Sequence, residues 1–509
     1  MSKEKLYIYW LRRDFRTTDN PALYHISQIS EGCNFLPIFC LDENLLASKN
    51  LGLIRRKYLA RLLLWAKETF PNFVIFHSSP SQVFSFLDKH FEIEIFANDD
   101  IEPYSRKRDL EIGQKFNLQL FADQLTINPE TRSGSGNIYS VFTPFKNAVW
   151  QSFLDSPVLP VVEPKNIFKN LELKAKIRNL SEFENLKIVE NPELALDLES
   201  NILSVRFENV KNYNKFENDF TTFENENIKI DLNKIGVSAD INLYYQNENQ
   251  AILEFEKFLD KIEDYNQDRN FLAKNGVSGM SVALKWGLVS PRFLKQRILE
   301  KGLNLGSETY LTELIWREFY KYLLLHRPEL LDTEFQSKFQ GSLNWVDGDL
   351  ALERFISWID GKTGYPLVDA AMNEIKQKGW MHNRTRMVVA SILTKNLGID
   401  WRFGQEYFRA VLLDLDEANN SGGWQWAASV GSDPKPIRIF NPSLQAKNYD
   451  SENLYQKKYL PKNTYKQSDN LFNNDKKFEY LLTPILDHKI ARQEAINRYN
   501  LAKIFKDNS

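Results

Sequence analysis

Glu313, Trp316, Arg317 and Tyr320 fall at i, i+3, i+4 and i+7, so one face of one helix would carry a carboxylate, an indole, a guanidinium and a phenol. Two readings fit that spacing: a salt-bridged helix with an aromatic core contact, or a wall of a binding site. Asn383, Arg386 and Met387 repeat the geometry further on, with Arg384 beside them. Asn alone is often just a helix cap, and His382 reads as a core histidine, because no second His or Cys stands near enough for a metal site. Asp414 and Asp416 flank Leu415, and carboxylates so close could form a metal pair, a catalytic pair or a partner for arginine. The arginines at 384, 386 and 402 favour the last. A buried Arg–Asp pair is tolerable only when fully hydrogen-bonded, which suits the wall of a cofactor pocket. Gly276-Val277-Ser278-Gly279-Met280-Ser281 precedes a helical run, and small residues there leave backbone amides free to cradle a phosphate. Trp345, Trp401, Trp424 and Trp426 are each core residues by default, yet four around one cavity could also stack bases or carry electrons in short hops.

The elements that must position these residues follow from periodicity. Residues 1–133 read as α/β: apolar runs at 6–11, 35–41, 73–76 and 93–97 have strand length, and 53–70 has helical spacing. Strands alternating with helices imply a parallel, Rossmann-like sheet covered on both faces. The loop from Arg12 to Pro21 then lies at the carboxyl end of the first strand, where such folds place ligands, although no Gly-x-Gly-x-x-Gly follows it. Residues 134–246 are rich in Asn, Glu and Lys with scattered Pro, and read as a long interdomain connector with some local helix. From 247 to 509 the helical period dominates, at 251–262, 282–286, 291–301, 309–326, 350–359, 366–379, 386–397, 403–413 and 484–505, with a looser stretch at 461–477. The expectation is a large all-α domain whose polar and aromatic residues face a shared cavity.

Bulk properties exclude several classes. A chain of 509 residues exceeds one compact core. Its net charge of −2 gives no global sign of nucleic-acid binding, though a local basic groove would be hidden in that sum. Cys33 and Cys40 are its two cysteines, too few for a disulfide framework or an iron–sulfur cluster. No signal-peptide pattern opens the chain and no apolar run approaches a membrane span, so a cytoplasmic protein is expected.

Taken together the motifs resemble the photolyase/cryptochrome flavoproteins. The resemblance runs through Trp10-Leu-Arg-Arg-Asp-Phe-Arg16 with Asp19-Asn-Pro21, Thr143-Pro-Phe-Lys-Asn147, Glu313-Leu-Ile-Trp-Arg-Glu-Phe-Tyr320, Gly361-Lys-Thr-Gly-Tyr-Pro-Leu-Val-Asp-Ala-Ala-Met372 and Arg438-Ile-Phe-Asn-Pro442, thinning over 160–246. Trp380-Met-His-Asn-Arg-Thr-Arg-Met387 and Gly422-Gly-Trp-Gln-Trp426 are similar to the class I cyclobutane pyrimidine dimer photolyases. The (6-4) photolyases instead carry His at the positions of Asn383 and Met387.

That resemblance implies FAD bound in the helical domain. Tyr265, Ser278 and Ser281, with backbone from Val277, Gly279 and Met280, would hold its phosphates and ribityl chain, and Tyr310 and Arg317 would line the pocket. Arg386 and Asp414 would pair beside the isoalloxazine, with Leu415 adjacent, Asp416 at its other polar edge and Asn420 at its reactive nitrogen. Two positions depart from the pattern: Val277 stands where a small hydroxyl residue is commoner, and Tyr310 where Trp is frequent. The partner would be DNA containing pyrimidine dimers, met by a monomer. Trp316 and Trp426 would wall the flipped dimer, Glu313 and Asn383 would hydrogen-bond it, and Met387 would pack on it. Tyr320 would lie in the same DNA-contacting face, while Arg269, Arg384 and Gln445 would meet phosphates. Trp424, Trp401 and Trp345 would form the electron path to the flavin. A second, antenna chromophore would sit in the amino-terminal domain. Glu102-Pro-Tyr104 looks more like the deazaflavin binders, and Tyr104-Ser105 replaces the Asn-Glu of the folate binders. A folate, another flavin or no antenna remain alternatives. The alternatives in function are a blue-light-sensing cryptochrome without repair, or a (6-4) photolyase.

Overall fold

The computed structural model describes residues 3–29, 34–43, 46, 51–168, 170–184, 186–196, 201–211, 220–224, 227–432, 437–469 and 476–507. Cys33 lies outside them, and Cys40 is a buried free thiol. The chain packs as two compact units interleaved in sequence. Unit 1 takes Met1–Leu198, Ile241–Glu263 and Ser278–Pro328, and unit 2 takes Glu199–Asp240, Asp264–Val277 and Glu329–Ser509. These boundaries differ from a division at 133 and 246.

Unit 1 is built on five parallel strands, β1 (Glu4–Trp10), β2 (Asn34–Cys40), β3 (Val74–Phe76), β4 (Phe91–Asn98) and β5 (Leu118–Phe121), in the order β3-β2-β1-β4-β5. This is the expected parallel α/β sheet. The fifth strand went unseen in the sequence because Leu118-Gln-Leu-Phe121 is short and only partly buried. Helices such as Leu53–Thr69 and Pro80–His90 cover the sheet, the latter opened by a Ser79/Gln82 capping box. The order of the sheet reverses between β1 and β4, where doubly wound folds bind ligands. In this chain the loop there is occupied by its own ion network. Arg16, 2 % exposed, donates to Asp123 at 2.5 Å, and Arg292 donates to Asp123 at 2.9 Å and to Asp19 at 2.8 Å. Asp14 accepts from Tyr9, Asn98 and the Arg12 amide. The Trp-Leu-Arg-Arg-Asp-Phe-Arg signature is therefore largely a structural lock that ties the first loop to helix Pro291–Lys301.

Residues 134–246 carry more structure than a connector. Helix Phe142–Asp155 packs on helix Leu305–His326 within unit 1. In unit 2, Ile202–Val205, Thr221–Glu224 and Asn227–Asp231 form a three-stranded antiparallel sheet. Its buried Leu203, Val205, Ile228 and Ile230 alternate with outward residues, a strand signal hidden in an Asn- and Lys-rich context.

Unit 2 is otherwise helical: Gly348–Asp360, Pro366–Lys378, Asn383–Ser391, Trp401–Val411, Glu417–Ala427, Pro442–Tyr449 and His488–Asp507. Periodicity anticipated most of these within a turn. One differs in kind: the helix expected over 386–397 ends at Ser391 and continues as a π-helical turn, Ile392–Asn396. The loose stretch at 461–477 contributes to a hairpin of Tyr465–Asp469 and Lys476–Tyr480; residues 470–475 lie outside the described residues. The Gly361–Met372 motif is held by Asp369, fully buried, which accepts from Thr363 N and Oγ1, Gly364 N and the Tyr480 hydroxyl. Burial pushes its carboxyl up even so. Among the described residues no helix is long and apolar enough to cross a membrane.

Candidate functional site

The residues singled out from the sequence divide between the units. In unit 1 the helix Leu305–His326 buries Leu314, Ile315, Glu318 and Phe319 and leaves Glu313, Trp316, Arg317 and Tyr320 half-buried together. The i, i+3, i+4, i+7 face therefore exists. Trp316 stacks face to face on Phe142, with ring centroids 3.5 Å apart, and touches Tyr320 at 5.6 Å. Arg317 turns its Nη1 to Glu318 at 2.7 Å and to the Gln124 carbonyl at 3.2 Å. Tyr310 is buried against Phe255 and Phe258, and its hydroxyl bonds the Ser278 hydroxyl at 2.8 Å. Ser278 also accepts from the Met280 amide, fixing the turn in which Gly279 takes a left-handed φ of 70°. Ser278 and Gly279 stay half-buried and Ser281 exposed at the start of the next helix.

Unit 2 holds the rest. Val277 ends its short segment 264–277, half-buried. Gly276 is required there, because a Cβ would collide with the Asp268 backbone. Tyr265 is buried beneath Arg269, whose guanidinium carbon lies 5.4 Å from the ring centroid.

The first turn of helix Asn383–Ser391 concentrates the most chemistry. Asn383 is exposed and Met387 half-buried, with Nδ2 3.9 Å from the thioether sulfur, one turn apart as the spacing implied. Arg386 donates Nη2 to Asp414 at 2.8 and 3.0 Å and Nε to the Met381 carbonyl at 2.8 Å. Arg384 lies 4.3 Å over Tyr449 and bonds the Asn270 side chain. Its Nε is buried without a protein partner, and burial pulls its ionisation down. Gln445 presents an unpartnered buried Oε1 from helix Pro442–Tyr449. His382 caps the helix, its Nδ1 accepting from the Arg384 amide at 3.1 Å. Burial first, then Arg384, Arg386, Arg269 and Lys378, push its imidazole down to about 4, so it is neutral at physiological pH. The sequence marked it as a core histidine, and its capping role was not foreseen.

Asp414 is buried and Leu415 beside it is core. Asp416 is the N-cap of helix Glu417–Ala427, accepting from the Asn419 amide at 3.1 Å. Asn420 commits its Nδ2 to the Gln405 carbonyl at 3.2 Å, and its amide also carries an acceptor oxygen.

Trp424 packs on Phe408 and Trp358 at 5.0 and 6.0 Å, and its six-membered ring lies against Gly404, where any Cβ would strike it. Gly404 is one turn along the helix from Trp401, which is fully buried and donates Nε1 to Glu334 at 3.3 Å. Trp345 is half-buried beside Arg498, 5.9 Å from its ring centroid. Trp426 packs on Phe440 with Arg438 over its ring. Phe142, Asn270, Glu334, Trp358 and Tyr449 were not singled out from the sequence. Each is an isolated residue in a loop or core helix, without a local pattern to mark it.

Each unit carries groups whose chemistry suits part of a flavin nucleotide, the serines in unit 1 and the Arg386–Asp414 pair and Asn420 in unit 2. Accessible serine hydroxyls and a glycine turn suit phosphates, and a guanidinium, carboxylate and oriented amide suit the edge of an isoalloxazine. Among the described residues no cluster of His, Cys, Asp and Glu could hold a metal.

Comparison with known proteins agrees. Residues 7–165 match the family described as DNA photolyase, and 310–501 match the FAD binding domain of DNA photolyase. The deoxyribodipyrimidine photo-lyase of a Synechococcus strain is 32 % identical, with 97 % of this chain and 96 % of that protein covered. The fold is similar to a class III photolyase from Agrobacterium tumefaciens, with a TM-score of 0.72 and 25 % identity over 99 % of this chain and 98 % of that one. It is also similar in fold to an archaeal photolyase from Sulfolobus tokodaii solved with two FAD molecules, with a TM-score of 0.69 and 21 % identity over 97 and 99 % of the two chains.

Proposed function

Because the chain belongs to the DNA photolyase family and carries that family's FAD-binding domain, we propose that it repairs cyclobutane pyrimidine dimers in DNA under light. FAD, bound by that domain, would supply light-driven one-electron chemistry to the dimer. The observation that carries the subclass is the first turn of helix Asn383–Ser391. Asn383 and Met387 stand side by side there, one residue from an Arg386 held by Asp414.

In this reading Asn383 and Glu313 hydrogen-bond the extruded bases, while Met387, Trp316 and Trp426 exclude water from them. The Asn383 amide serves this because it is exposed and offers both a donor and an acceptor. Arg384, pre-oriented by Tyr449 and Asn270, meets a phosphate with Arg269 and Gln445, and Tyr320 adds an aromatic contact. Tyr265, Ser278, Ser281, Tyr310 and Arg317, with backbone of Val277, Gly279 and Met280, hold the nucleotide end of FAD. Arg386, Asp414, Leu415, Asp416 and Asn420 hold its ring system. Trp424, Trp401 and Trp345 carry electrons to it. The stacking penalty of extruding a damaged pair is a few kcal/mol at most, so undamaged duplex is left alone.

The test is photorepair of a thymine-dimer oligonucleotide by purified FAD-loaded protein, with the absorption spectrum of the same sample identifying any second chromophore. Dimer restoration under blue light, abolished in the dark, is expected. Repair of (6-4) lesions instead, or flavin photoreduction without turnover of any lesion, would overturn the assignment in favour of a (6-4) photolyase or a light sensor.

A further inference from the structure

Trp401 donates its indole N–H to Oε1 of Glu334 at 3.3 Å, and both residues are buried, Glu334 at 3 % exposure. Arg402 donates Nη2 to the same oxygen at 2.8 Å and Nη1 to Asp400 at 2.7 Å, with its guanidinium carbon 4.9 Å from the Trp401 ring centroid. One carboxylate therefore accepts from the indole, and the guanidinium over its ring links that carboxylate to a second, Asp400.

A buried indole does not need an anion. Trp358, equally buried, satisfies its N–H with the Val389 carbonyl at 3.1 Å. Desolvating a carboxylate for the same purpose carries a cost that a neutral acceptor would avoid. The arrangement makes sense if the indole becomes charged. An indole that has lost an electron is a cation and a strong acid. A carboxylate on its N–H stabilises the positive charge and stands ready as the base.

We infer that Glu334 is the positioning residue of Trp401 in electron transfer, taking the indole proton when Trp401 gives up an electron. This rests on the assignment of Trp424 and Trp401 to the electron path. One electron leaves Trp401 toward Trp424, the Nε1–H bond breaks and an O–H bond forms on Glu334. A neutral indolyl radical and a carboxylic acid remain. An external one-electron donor, a thiolate, then returns the electron, and Glu334 returns the proton. Trp345 has the opposite setting, a guanidinium from Arg498 whose Nε donates to the neutral Asn344 carbonyl at 3.0 Å. The proton acceptor thus stands at Trp401, and Trp345 relays the returning electron inward.

Transient absorption of the FAD-loaded full chain after a blue flash, in H2O and in D2O, tests this, because cationic and neutral indole radicals have distinct visible spectra. The wild type is expected to form the neutral radical, more slowly in D2O. Glu334→Gln keeps an oxygen acceptor for both Trp401 and Arg402 but is a far weaker base. It should lower the neutral-radical yield by about tenfold or more, since an adjacent carboxylate is worth roughly one to three pK units. A readout without light is the indole N–H resonance of Trp401, identified by its loss in Trp401→Phe, which should shift in Glu334→Gln. Should that variant not fold, the spectrum and isotope dependence of the wild type decide. A radical that stays cationic throughout its lifetime, or one that deprotonates equally fast in Glu334→Gln, overturns the inference while leaving the path intact. If Trp401→Phe leaves radical formation unchanged, the path itself is wrong and the inference falls with it.

Discussion

Arg386 and Asp414 form an unequal pair, and the inequality is measurable. Asp414 keeps 2 % of its side chain exposed, whereas Arg386 keeps 25 %. Removing Arg386 strands a carboxylate that water cannot reach, which costs about 3–5 kcal/mol. Removing Asp414 leaves a guanidinium that rehydrates through its open edge, so the loss is nearer that of an exposed pair, about 1 kcal/mol. Arg386→Leu should therefore lower the melting temperature far more than Asp414→Leu, by roughly 4–16 °C, at about 2–4 °C per kcal/mol for a unit of this size. The double variant should be more stable than Arg386→Leu alone by at least about 1 kcal/mol, because no buried charge remains. Arg386 also donates to the Met381 carbonyl; that bond is lost in Arg386→Leu and in the double variant, so it cancels between those two, and it persists in Asp414→Leu. Thermal melts in excess FAD, with FAD affinity read separately from flavin fluorescence, give both quantities. The reasoning is refuted if Asp414→Leu costs as much as Arg386→Leu, or if the double variant is the least stable of the three.

Three further outcomes are expected. Arg384→Ala should weaken binding to damaged and undamaged duplex alike and reduce the slope of log K against log salt by about 0.9, the signature of one lost phosphate contact, read by binding titrations at several salt concentrations. Lys395 is fully desolvated, which with Arg438 lowers its ammonium from 10.5 to about 7. Between those values the unfolded chain holds a proton that the folded chain has released, so stability rises with pH from about 7 upward, by up to about 1.4 kcal/mol per unit. Below pH 7 the penalty is constant. Lys395→Met should flatten that rise in urea unfolding measured from pH 7 to 9.5. Gly404→Ala, whose methyl would strike the Trp424 ring, should cost about 1–3 kcal/mol and slow flavin photoreduction without changing repair by pre-reduced enzyme.

What the sequence disclosed was set by the range of each interaction. The strands of unit 1 and the helices of unit 2 are written in apolar spacing over a few residues, and so was the shared face of Asn383 and Met387. The Arg386–Asp414 pair spans 28 positions; weighing charges in a crowded region favoured an arginine partner, and only the family resemblance implied which one. Glu334 on Trp401 and Asn270 on Arg384 were out of reach, because one polar residue in a loop has no period. The sheet of 202–231 was missed for a different reason: polar residues flank its strands, so a genuine alternation over four or five positions was outweighed by composition. The loop from Arg12 to Pro21 taught the converse lesson. Its place at the carboxyl end of the first strand suggested a ligand, but Asp123 and Arg292, brought by distant elements, satisfy it internally.

The choice of histidine as the cap at 382 follows from the same accounting of charge. A helix N-terminus needs an acceptor, and Asp or Ser would ordinarily supply it. An aspartate there would sit among Arg384, Arg386 and Arg269 and would compete for them. Arg384 would be drawn from Tyr449 and Asn270, and Arg386 from Asp414. A charged imidazole would repel all three and could not accept the Arg384 amide. The neutral ring, kept so by burial and by those same arginines, caps the helix without claiming a cation. Three guanidiniums can then stay aimed at separate targets from one turn and its neighbour. Replacing His382 by Asp should thus impair DNA binding and FAD retention together while keeping the helix cap, an outcome that loss of folding alone would not produce.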